Sequence, residues 1–175
     1  MRTIRFHGNS LKHTMQFDDF RRRSKGWEQD PPAYIHSRIL FGSGMALTPE
    51  FAEKHKISHV INCAFDQDSP TWFSSSNPTK YKCLGAVDSV NANIIEWYPD
   101  FERTMHEFLR EEGSRNVYVH CQCGINRSGF LCVAFMCKRM NMDFNTAANT
   151  ILRQRPCALT NPAYRIQVYR FSEQK

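Results

Sequence analysis

The stretch NVYVHCQCGINRSGFLCVAFMCKRM, residues 116–140, decides the fold and raises the question of function. Its first part, Asn116–His120, is rich in β-branched and aromatic residues and predicts a short buried strand. Its last part, FLCVAFMCKRM, is apolar almost all round and predicts a central buried helix. The loop between them holds two cysteines and two glycines. A strand, a glycine-bearing loop and a helix in this order predict a site where the strand ends and the helix begins.

The composition of this loop is typical of an anion-binding site. A helix N-terminus presents unpaired backbone N–H groups and a partial positive charge, so it attracts anions. Gly124 and Gly129 allow the tight turn that aims further amides at one point, and Arg127 supplies a planar fork that matches two phosphoryl oxygens. Cys121 stands at the base of the loop, where the helix terminus and the guanidinium favour its thiolate. The sequence therefore predicts a cysteine nucleophile that faces phosphorus.

Two other chemistries use paired cysteines, and neither fits the spacing. A structural zinc site needs a second pair of cysteine or histidine ligands, which the sequence lacks at the usual spacing. A redox-active Cys-x-x-Cys is also absent, because one residue separates Cys121 from Cys123. By chance, the pattern His-Cys-x-x-Gly-x-x-Arg-Ser/Thr-Gly arises at on the order of 10⁻⁸ per start position. We therefore expect a functional loop, no metal site and no cofactor.

Outward from this loop, strands and helices alternate along the chain. Short apolar runs predict further strands at Ser37–Gly42, Ile57–Ala64 and Lys80–Asp88. Capping residues and helical spacing predict helices at Thr48–Lys56, Glu96–Glu112, Asp143–Arg155 and Asn161–Phe171, and residues 65–79 read as a loop. This order predicts a single α/β domain whose central, mainly parallel sheet has four to five strands flanked by helices. We divide the chain into an N-terminal helical extension, residues 1–30, and a catalytic domain, residues 31–175.

The bulk composition narrows the class of protein. The chain has 175 residues, of which 41% are hydrophobic, enough for one domain with a real core. No apolar run approaches the roughly 20 residues of a membrane span, and the start has no apolar signal segment. The seven cysteines do not follow the loop spacings of a disulfide scaffold, so reduced thiols in the cytoplasm are expected. The net charge of +6 suits an anionic substrate, although the densest basic cluster, Arg21–Lys25, is equally typical of a solvated helix face.

The loop HCQCGINRSG resembles the signature of the cysteine-dependent protein tyrosine phosphatase superfamily, Cys-x5-Arg followed by Ser or Thr. The resemblance runs from about Tyr34 to Tyr169. The order of RILFGS, ISHVINCA, YKCLGAVDS, RQRP and NPAYRIQ is similar to that of the dual-specificity branch. GINRSG is particularly similar to the loops of poxviral dual-specificity phosphatases and of RNA 5′-triphosphatases, which share the asparagine before the arginine. The resemblance implies the phosphatase fold and hydrolysis of phosphoserine, phosphothreonine and phosphotyrosine through a phosphocysteine.

The resemblance also implies a role for each matching residue. Cys121 matches the nucleophile, and Arg127 matches the arginine that stabilises the equatorial oxygens of the transition state. Ser128 matches the hydroxyl that stabilises the departing thiolate, and His120 matches the histidine that supports the loop and helps to keep the thiol ionised. The residues expected to surround the phosphate are Gln122, Cys123, Gly124, Ile125, Asn126 and Arg127.

A general acid is expected on a separate loop, to protonate the leaving oxygen and later to activate water. Asp88 lies 33 residues before Cys121 at the end of a predicted strand, where the family carries that aspartate. The alternative, Asp100, falls within a helical pattern that is typical of a solvated side chain. Asp88 is therefore the predicted acid.

Two cysteines are candidates for a redox role. Cys123 is expected to contribute its backbone amide to the phosphate site, and a disulfide with Cys121 would be strained at this spacing. Cys63 ends the neighbouring strand, where some relatives carry a cysteine that forms a disulfide with the nucleophile. A buried structural role for Cys63 stays open beside this one.

The sequence leaves alternatives open for the substrate class and for the oligomeric state. A phosphoprotein substrate is the first expectation, an RNA 5′-triphosphate or diphosphate is the second, and a non-catalytic phosphoprotein reader is the third. The absence of lysine from the loop argues against an inositol phospholipid, and no membrane partner is expected. Apolar residues between Leu11 and Phe20 suit either a dimer contact of the type seen in poxviral relatives or a helix packed on its own domain. A cytoplasmic location is expected, with a nuclear or virion-associated one and a viral source as alternatives.

Overall fold

The computed structural model describes residues 19–174, which form an α/β fold around a five-stranded sheet. The strands are β1 (Ala33–His36), β2 (Ile39–Ser43), β3 (Ile57–Asn62), β4 (Tyr81–Cys83) and β5 (Asn116–Cys121). The α-helices are α1 (Pro49–Lys54), α2 (Thr71–Ser76), α3 (Tyr98–Arg110), α4 (Arg127–Arg139), α5 (Phe144–Gln154) and α6 (Pro162–Glu173). The predicted fold class is confirmed.

The sheet brings the ends of its central strands to one edge. Its order is β1-β2-β5-β3-β4, with β1 antiparallel to β2 and the other three pairs parallel. Ser43 of β2 is in register with Cys121 of β5, and Asn62 of β3 is in register with His120. Because the carboxyl ends of parallel strands share an edge, and ligands of open α/β sheets bind there, this register fixes the position of the loop that follows β5.

Both faces of the sheet are covered by helices. Alternate residues along a strand point to opposite faces, so Phe41 and Val119 belong to a large core cluster with α3, α4, α5 and α6. Their neighbours Leu40 and Tyr118 belong to a second cluster with α1 and α2. Helix α4 is buried from Arg127 to Met136, as its almost uniformly apolar sequence predicts.

Residues 65–79 are not a plain loop, and that prediction was wrong. They contain helix α2 and two short 3-10 turns. The serine-rich composition of this segment does not predict α2, which is stabilised by tertiary contacts. Phe73 is buried, and Trp72 Nε1 donates a hydrogen bond of 2.9 Å to the carbonyl of Leu47. Packing here outweighs local propensity.

The strand predicted at Lys80–Asp88 is also shorter than expected. Only Tyr81–Cys83 is strand, although the N–H groups of Leu84 and Ala86 still donate to carbonyls of Asn62 and Cys63. Gly85 has φ of +68°, which turns the chain out of the strand path. The residues beyond it, including Asp88, therefore form a loop over the carboxyl edge.

Several predictions fall on residues that the structure does not describe. The N-terminal helix and the dimer contact at Leu11–Phe20 lie largely in residues 1–18, outside the described part. Residues 19–21 are helical, and Phe20 packs against the large core cluster. The division of the chain at residue 30 stays a prediction. Within residues 19–174, the helices are too short or too polar to cross a membrane.

Candidate active site

The loop between β5 and α4 depends on a glycine at its tightest point. Gly124 has φ of +62°, a left-handed conformation that L side chains rarely adopt. A Cβ at this position would overlap the backbone of Gly42 and the amide nitrogen of Ser43. Gly124 therefore lets the loop lie directly against the end of β2.

The carbonyl groups of this loop all point outward, to partners on flanking elements. Gln122 O accepts from Gly44 N at 3.2 Å and from Ser43 Oγ at 2.9 Å. The carbonyls of residues 123 and 124 accept from the guanidinium of Arg155, each at 2.8 Å. Ile125 O accepts from Leu159 N at 2.8 Å.

The outward carbonyls turn the amides of the loop inward. In a trans peptide the N–H points away from the carbonyl of the preceding residue, so the N–H groups of residues 123–126 face the inside of the loop. Within the described range these four groups donate to no protein acceptor. The first turn of α4 adds its own N–H groups and a partial positive charge. The loop is therefore an anion-binding site built from backbone amides.

Cys121 lies at the base of this site, at the end of β5. Its side chain is 2% exposed, and Ser128 Oγ donates a hydrogen bond of 3.2 Å to its sulfur. Ser128 is itself fully buried in the first turn of α4. This contact is geometrically suited to stabilise a thiolate at Cys121.

The other six cysteines of the chain share one electrostatic feature. Burial is the main cause that raises the pKa of each of them: Cys63, Cys83, Cys123, Cys132, Cys137 and Cys157. Cys123, the close neighbour in the loop, is thereby kept as a thiol at neutral pH. All seven cysteines are free in the structure. The backbone N–H of Cys63 donates to His120 O at 2.7 Å, so Cys63 lies directly after β3, beside the end of β5.

Arg127 is buried beside the same loop, with 7% of its surface exposed. Its Nη1 donates to Ala86 O at 3.3 Å and lies 3.8 Å from a carboxylate oxygen of Asp68. Its buried Nε has no hydrogen-bond partner in the described part of the chain. A buried donor without an acceptor costs about 1–3 kcal/mol, so this N–H is available to an oxyanion in the loop.

His120 supports the loop as a neutral residue. It is fully buried, its Nε2 lies 3.1 Å from Ser69 Oγ, and its ring stacks on Tyr118. Burial, together with the nearby charge of Arg127, lowers the pKa of His120 to about 4. His120 therefore carries no charge at neutral pH, and support through hydrogen bonds and packing is the contribution that remains to it.

Asp88 lies above the loop and is held by two side-chain amides. Asn126 Nδ2 lies 3.3 Å from Asp88 Oδ2, and Asn161 Nδ2 lies 3.4 Å from Asp88 Oδ1. Hydrogen bonds to the amide oxygens of Asn126 and Asn161 fix the orientation of both side-chain amides. Asn126 Oδ1 accepts from Thr160 N, Thr160 Oγ1 and Asn161 N, and Asn161 Oδ1 accepts from two N–H groups at the start of α6.

Tyr164 holds the backbone on both sides of Asp88. Its hydroxyl donates to Val87 O and accepts from Ser89 N at 3.3 Å. Burial raises the pKa of Tyr164, and the negative charge of Asp88 raises it too. The loop that carries Asp88 is therefore attached to the domain through Tyr164.

The structure thus brings the predicted residues together, and it adds some that sequence reasoning missed. Cys121, Ser128, His120 and Arg127 surround one loop, and Asp88 is connected to that loop through Asn126. Asp100 pairs with Arg103 on α3 instead, at 2.6 Å. Among the described residues, no group of three side chains suits a metal ion.

The missed residues are Ser43, Asp68, Asn161 and Tyr164. The cap of α6 at Asn161 is visible in the sequence, because asparagine before proline is a helix start signal. Its second contact, with Asp88, joins positions 73 apart and has no local signal. For Arg155 the sequence leaves two roles open, an anion contact near the rim of the site or a structural role beside Pro156. Its side chain is 2% exposed and donates to the carbonyls of residues 123 and 124, so it does not lie at the rim.

Comparison with known proteins gives a consistent result. The family profile for "Dual specificity phosphatase, catalytic domain" matches residues 39–174. Dual specificity protein phosphatase 19 of Mus musculus is 25% identical over 131 residues, which cover 74% of this chain. Dual specificity protein phosphatase 22 of Xenopus tropicalis is 29% identical over 125 residues, which cover 71% of this chain.

These relatives are longer than the region they share with this chain. The matched region covers 57% of the mouse protein and 56% of the Xenopus protein. The crystal structure of human DUSP28 superposes with a TM-score of 0.69 and 17% identity, covering 82% of this chain and 93% of that one. This last similarity is one of fold.

Proposed function

The chain belongs to the dual specificity phosphatase family, and we propose that it hydrolyses phosphoserine, phosphothreonine and phosphotyrosine in proteins through a phosphocysteine intermediate. The observation that carries the proposal is the loop at residues 121–128. The carbonyls of residues 122–125 point outward, the amides of residues 123–126 point inward, and the sulfur of Cys121 lies at the base of the loop. That arrangement fits a tetrahedral phosphoryl group whose three oxygens need donors.

In the first step the Cys121 thiolate attacks phosphorus, forming an S–P bond while the bond from phosphorus to the substrate oxygen breaks. The inward amides and the guanidinium of Arg127 stabilise the charge on the equatorial oxygens. The carboxyl group of Asp88 gives its proton to the leaving oxygen. The alcohol or phenol side chain then departs from the enzyme.

In the second step a water molecule attacks the phosphocysteine. The Asp88 carboxylate takes a proton from this water, the S–P bond breaks, and inorganic phosphate is released. Cys121 leaves as a thiolate, and the hydrogen bond from Ser128 Oγ stabilises it. The enzyme returns to its starting state with Asp88 protonated.

A panel of three substrates tests this proposal: phosphopeptides, RNA with a 5′-triphosphate, and a chromogenic aryl phosphate. We expect turnover of the phosphopeptides and of the aryl phosphate. Turnover of the RNA with no turnover of the phosphopeptides would favour the RNA alternative. Binding without turnover of any of the three would favour a phosphoprotein reader. Asp88 supports the first outcome, because RNA triphosphatases of the superfamily typically lack that acid.

Two loop cysteines provide a matched pair of variants for this panel. Cys121→Ser removes the nucleophile and is expected to abolish turnover while phosphopeptide binding persists. Cys123→Ser changes a side chain that is kept as a thiol, so the substitution is expected to leave most of the turnover. Turnover near that of the unmodified protein in Cys121→Ser would refute the proposal.

The similarity of GINRSG to poxviral loops supports placing the chain in the poxviral branch of the family, and it therefore supports a viral source. A cytoplasmic location follows as a further proposal from the reduced thiols. Localisation of a tagged chain in cells tests it, and a secreted product would contradict it.

A further inference from the structure

Arg155 lies behind the loop, buried between it and the N-terminal part of the chain. Only 2% of its surface is exposed. A guanidinium has five N–H donors in a rigid fork, and five backbone carbonyls accept from this one. Two belong to the loop, Gly124 O and Cys123 O, each at 2.8 Å. Three belong to residues 27–31: Trp27 O at 2.8 Å, Pro31 O at 3.2 Å, and Asp30 O.

We propose that Arg155, anchored by the N-terminal segment (residues 24–31), is a positioning residue that sets the orientation of the loop amides at residues 124 and 125. The inference rests on the proposed function, because it assigns a role within that site. It also places the N-terminal segment inside the catalytic unit.

The geometry of the peptide plane links Arg155 to the phosphate. The carbonyl of Cys123 and the N–H of Gly124 belong to one planar unit and point in opposite directions. The carbonyl of Gly124 and the N–H of Ile125 form the next unit. When Arg155 holds both carbonyls on the outside, both N–H groups are turned inward before any ligand binds. Donors oriented in advance need no rearrangement during the reaction.

The N-terminal segment has its own fixed structure, so it can serve as an anchor. The buried carboxylate of Asp30 accepts from Ser24 Oγ at 2.6 Å, from Lys25 N at 2.9 Å and from Cys157 N at 2.9 Å. These bonds close the segment on itself and attach it to the chain just after Arg155. The three carbonyls that face Arg155 are thereby held in place.

A purely stabilising role for Arg155 is the competing explanation, and the chain offers a matched control for it. Arg38 is a partly buried arginine whose guanidinium, like that of Arg155, donates to backbone carbonyls, those of Leu109, Ser114 and Arg115. Those carbonyls lie near the start of β5, at the opposite edge of the sheet from the loop. Loss of either fork should cost stability, but only the fork of Arg155 should affect the loop.

The test compares Arg155→Lys with Arg38→Lys. Lysine keeps the charge but has a single nitrogen that cannot reach both sides at once. Binding of inorganic phosphate is measured by calorimetry in a Cys121→Ser background, so the result does not depend on turnover. We expect Arg155→Lys to weaken phosphate binding about 10-fold and, with Cys121 present, to lower kcat/KM on an aryl phosphate by about 10–100-fold. Arg38→Lys should lower the Tm and leave both quantities unchanged.

Asp30→Ala tests the anchor without altering Arg155 or the loop. It should weaken phosphate binding in the same direction, and its effect should not add fully to that of Arg155→Lys, because the two residues act through one network. Unchanged phosphate affinity in folded Arg155→Lys, or equal losses in Arg38→Lys, would overturn the role of Arg155. Unchanged affinity in folded Asp30→Ala would overturn the role of the segment. Absence of turnover in the unmodified chain would instead refute the proposed function.

Discussion

Asp88 is held by side-chain amides whose orientation is fixed by contacts elsewhere. Asn126 and Asn161 each use the amide oxygen as an acceptor, so each presents its NH₂ group to the carboxylate. A proton donor held in this way should contribute most when the leaving group is poor.

Asp88→Asn should therefore show a strong dependence on the leaving group. Positioned general acids contribute about 10²–10⁴-fold, so we expect a loss of about 100-fold or more on aryl phosphates with poor leaving groups. The loss with good leaving groups should be small. Steady-state kcat/KM across a series of substituted phenyl phosphates measures both. Equal losses across the series would remove Asp88 from the mechanism.

Cys121 and the two cysteines that are candidates for a redox role should respond differently to peroxide. Burial raises the pKa of Cys63 and Cys123, so Cys121 is the expected first target, because oxidation follows thiolate character. If either of the other two protects it, a disulfide from Cys121 to Cys63 or to Cys123 should form. Peptide mapping by mass spectrometry after mild peroxide identifies the linkage. Over-oxidised Cys121 with no linkage would end the redox proposal for both.

At the level of elements, the loop after β5 is shaped by the end of β2 as much as by its own sequence. Gly124 fits there because Gly42 and Ser43 leave no room for a Cβ. The strand, the loop and helix α4 could be predicted from residues 116–140, since their periodicity and glycines are local. The short helix α2 could not, because the contacts of Trp72 and Phe73 that hold it come from other elements.

Alanine substitutions at two glycines with positive φ distinguish the effect of steric crowding from the effect of backbone strain. Gly124→Ala would introduce both steric crowding and backbone strain. Gly113→Ala would introduce backbone strain alone, because a Cβ at Gly113 has no neighbour within 4 Å. An L-residue in this conformation costs about 1–2 kcal/mol, so both variants should lose at least that much stability in denaturant unfolding. Only Gly124→Ala should also lose phosphate binding in the Cys121→Ser background. Normal phosphate affinity in Gly124→Ala would contradict the described loop geometry.

For the whole molecule, the buried neutral His120 should make stability depend on pH. Burial lowers its pKa to about 4 from a usual value near 6.5, so the unfolded chain binds the proton more readily between these values. Stability that is fully present above pH 6.5 should fall as the pH drops toward 4, by on the order of 3 kcal/mol. Urea unfolding across this range measures the slope. His120→Asn should flatten it, and an unchanged slope in that variant would contradict a neutral His120.

Predictions from the sequence agree with the structure for those features that a local sequence pattern determines. The parallel sheet, Cys121 and Arg127 could be assigned from strand spacing and one loop, since the loop places both residues in a single short segment. The contacts of Ser43, Arg155 and Asn161 could not, because they join backbone groups or carboxylates that lie 31 to 128 positions away. Such contacts depend on how the elements pack, and no periodicity in a single sequence encodes them.

Trapping the covalent intermediate tests the central claim most directly. Asp88→Asn should slow both formation and breakdown of the phosphocysteine, so acid quenching during turnover of an aryl phosphate with a good leaving group should capture it. Peptide mass spectrometry is expected to find one phosphoryl group on the peptide that contains Cys121, and none in the Cys121→Ser control. A phosphoryl group on Cys123 or on any other residue, or steady turnover by Cys121→Ser, would contradict the account.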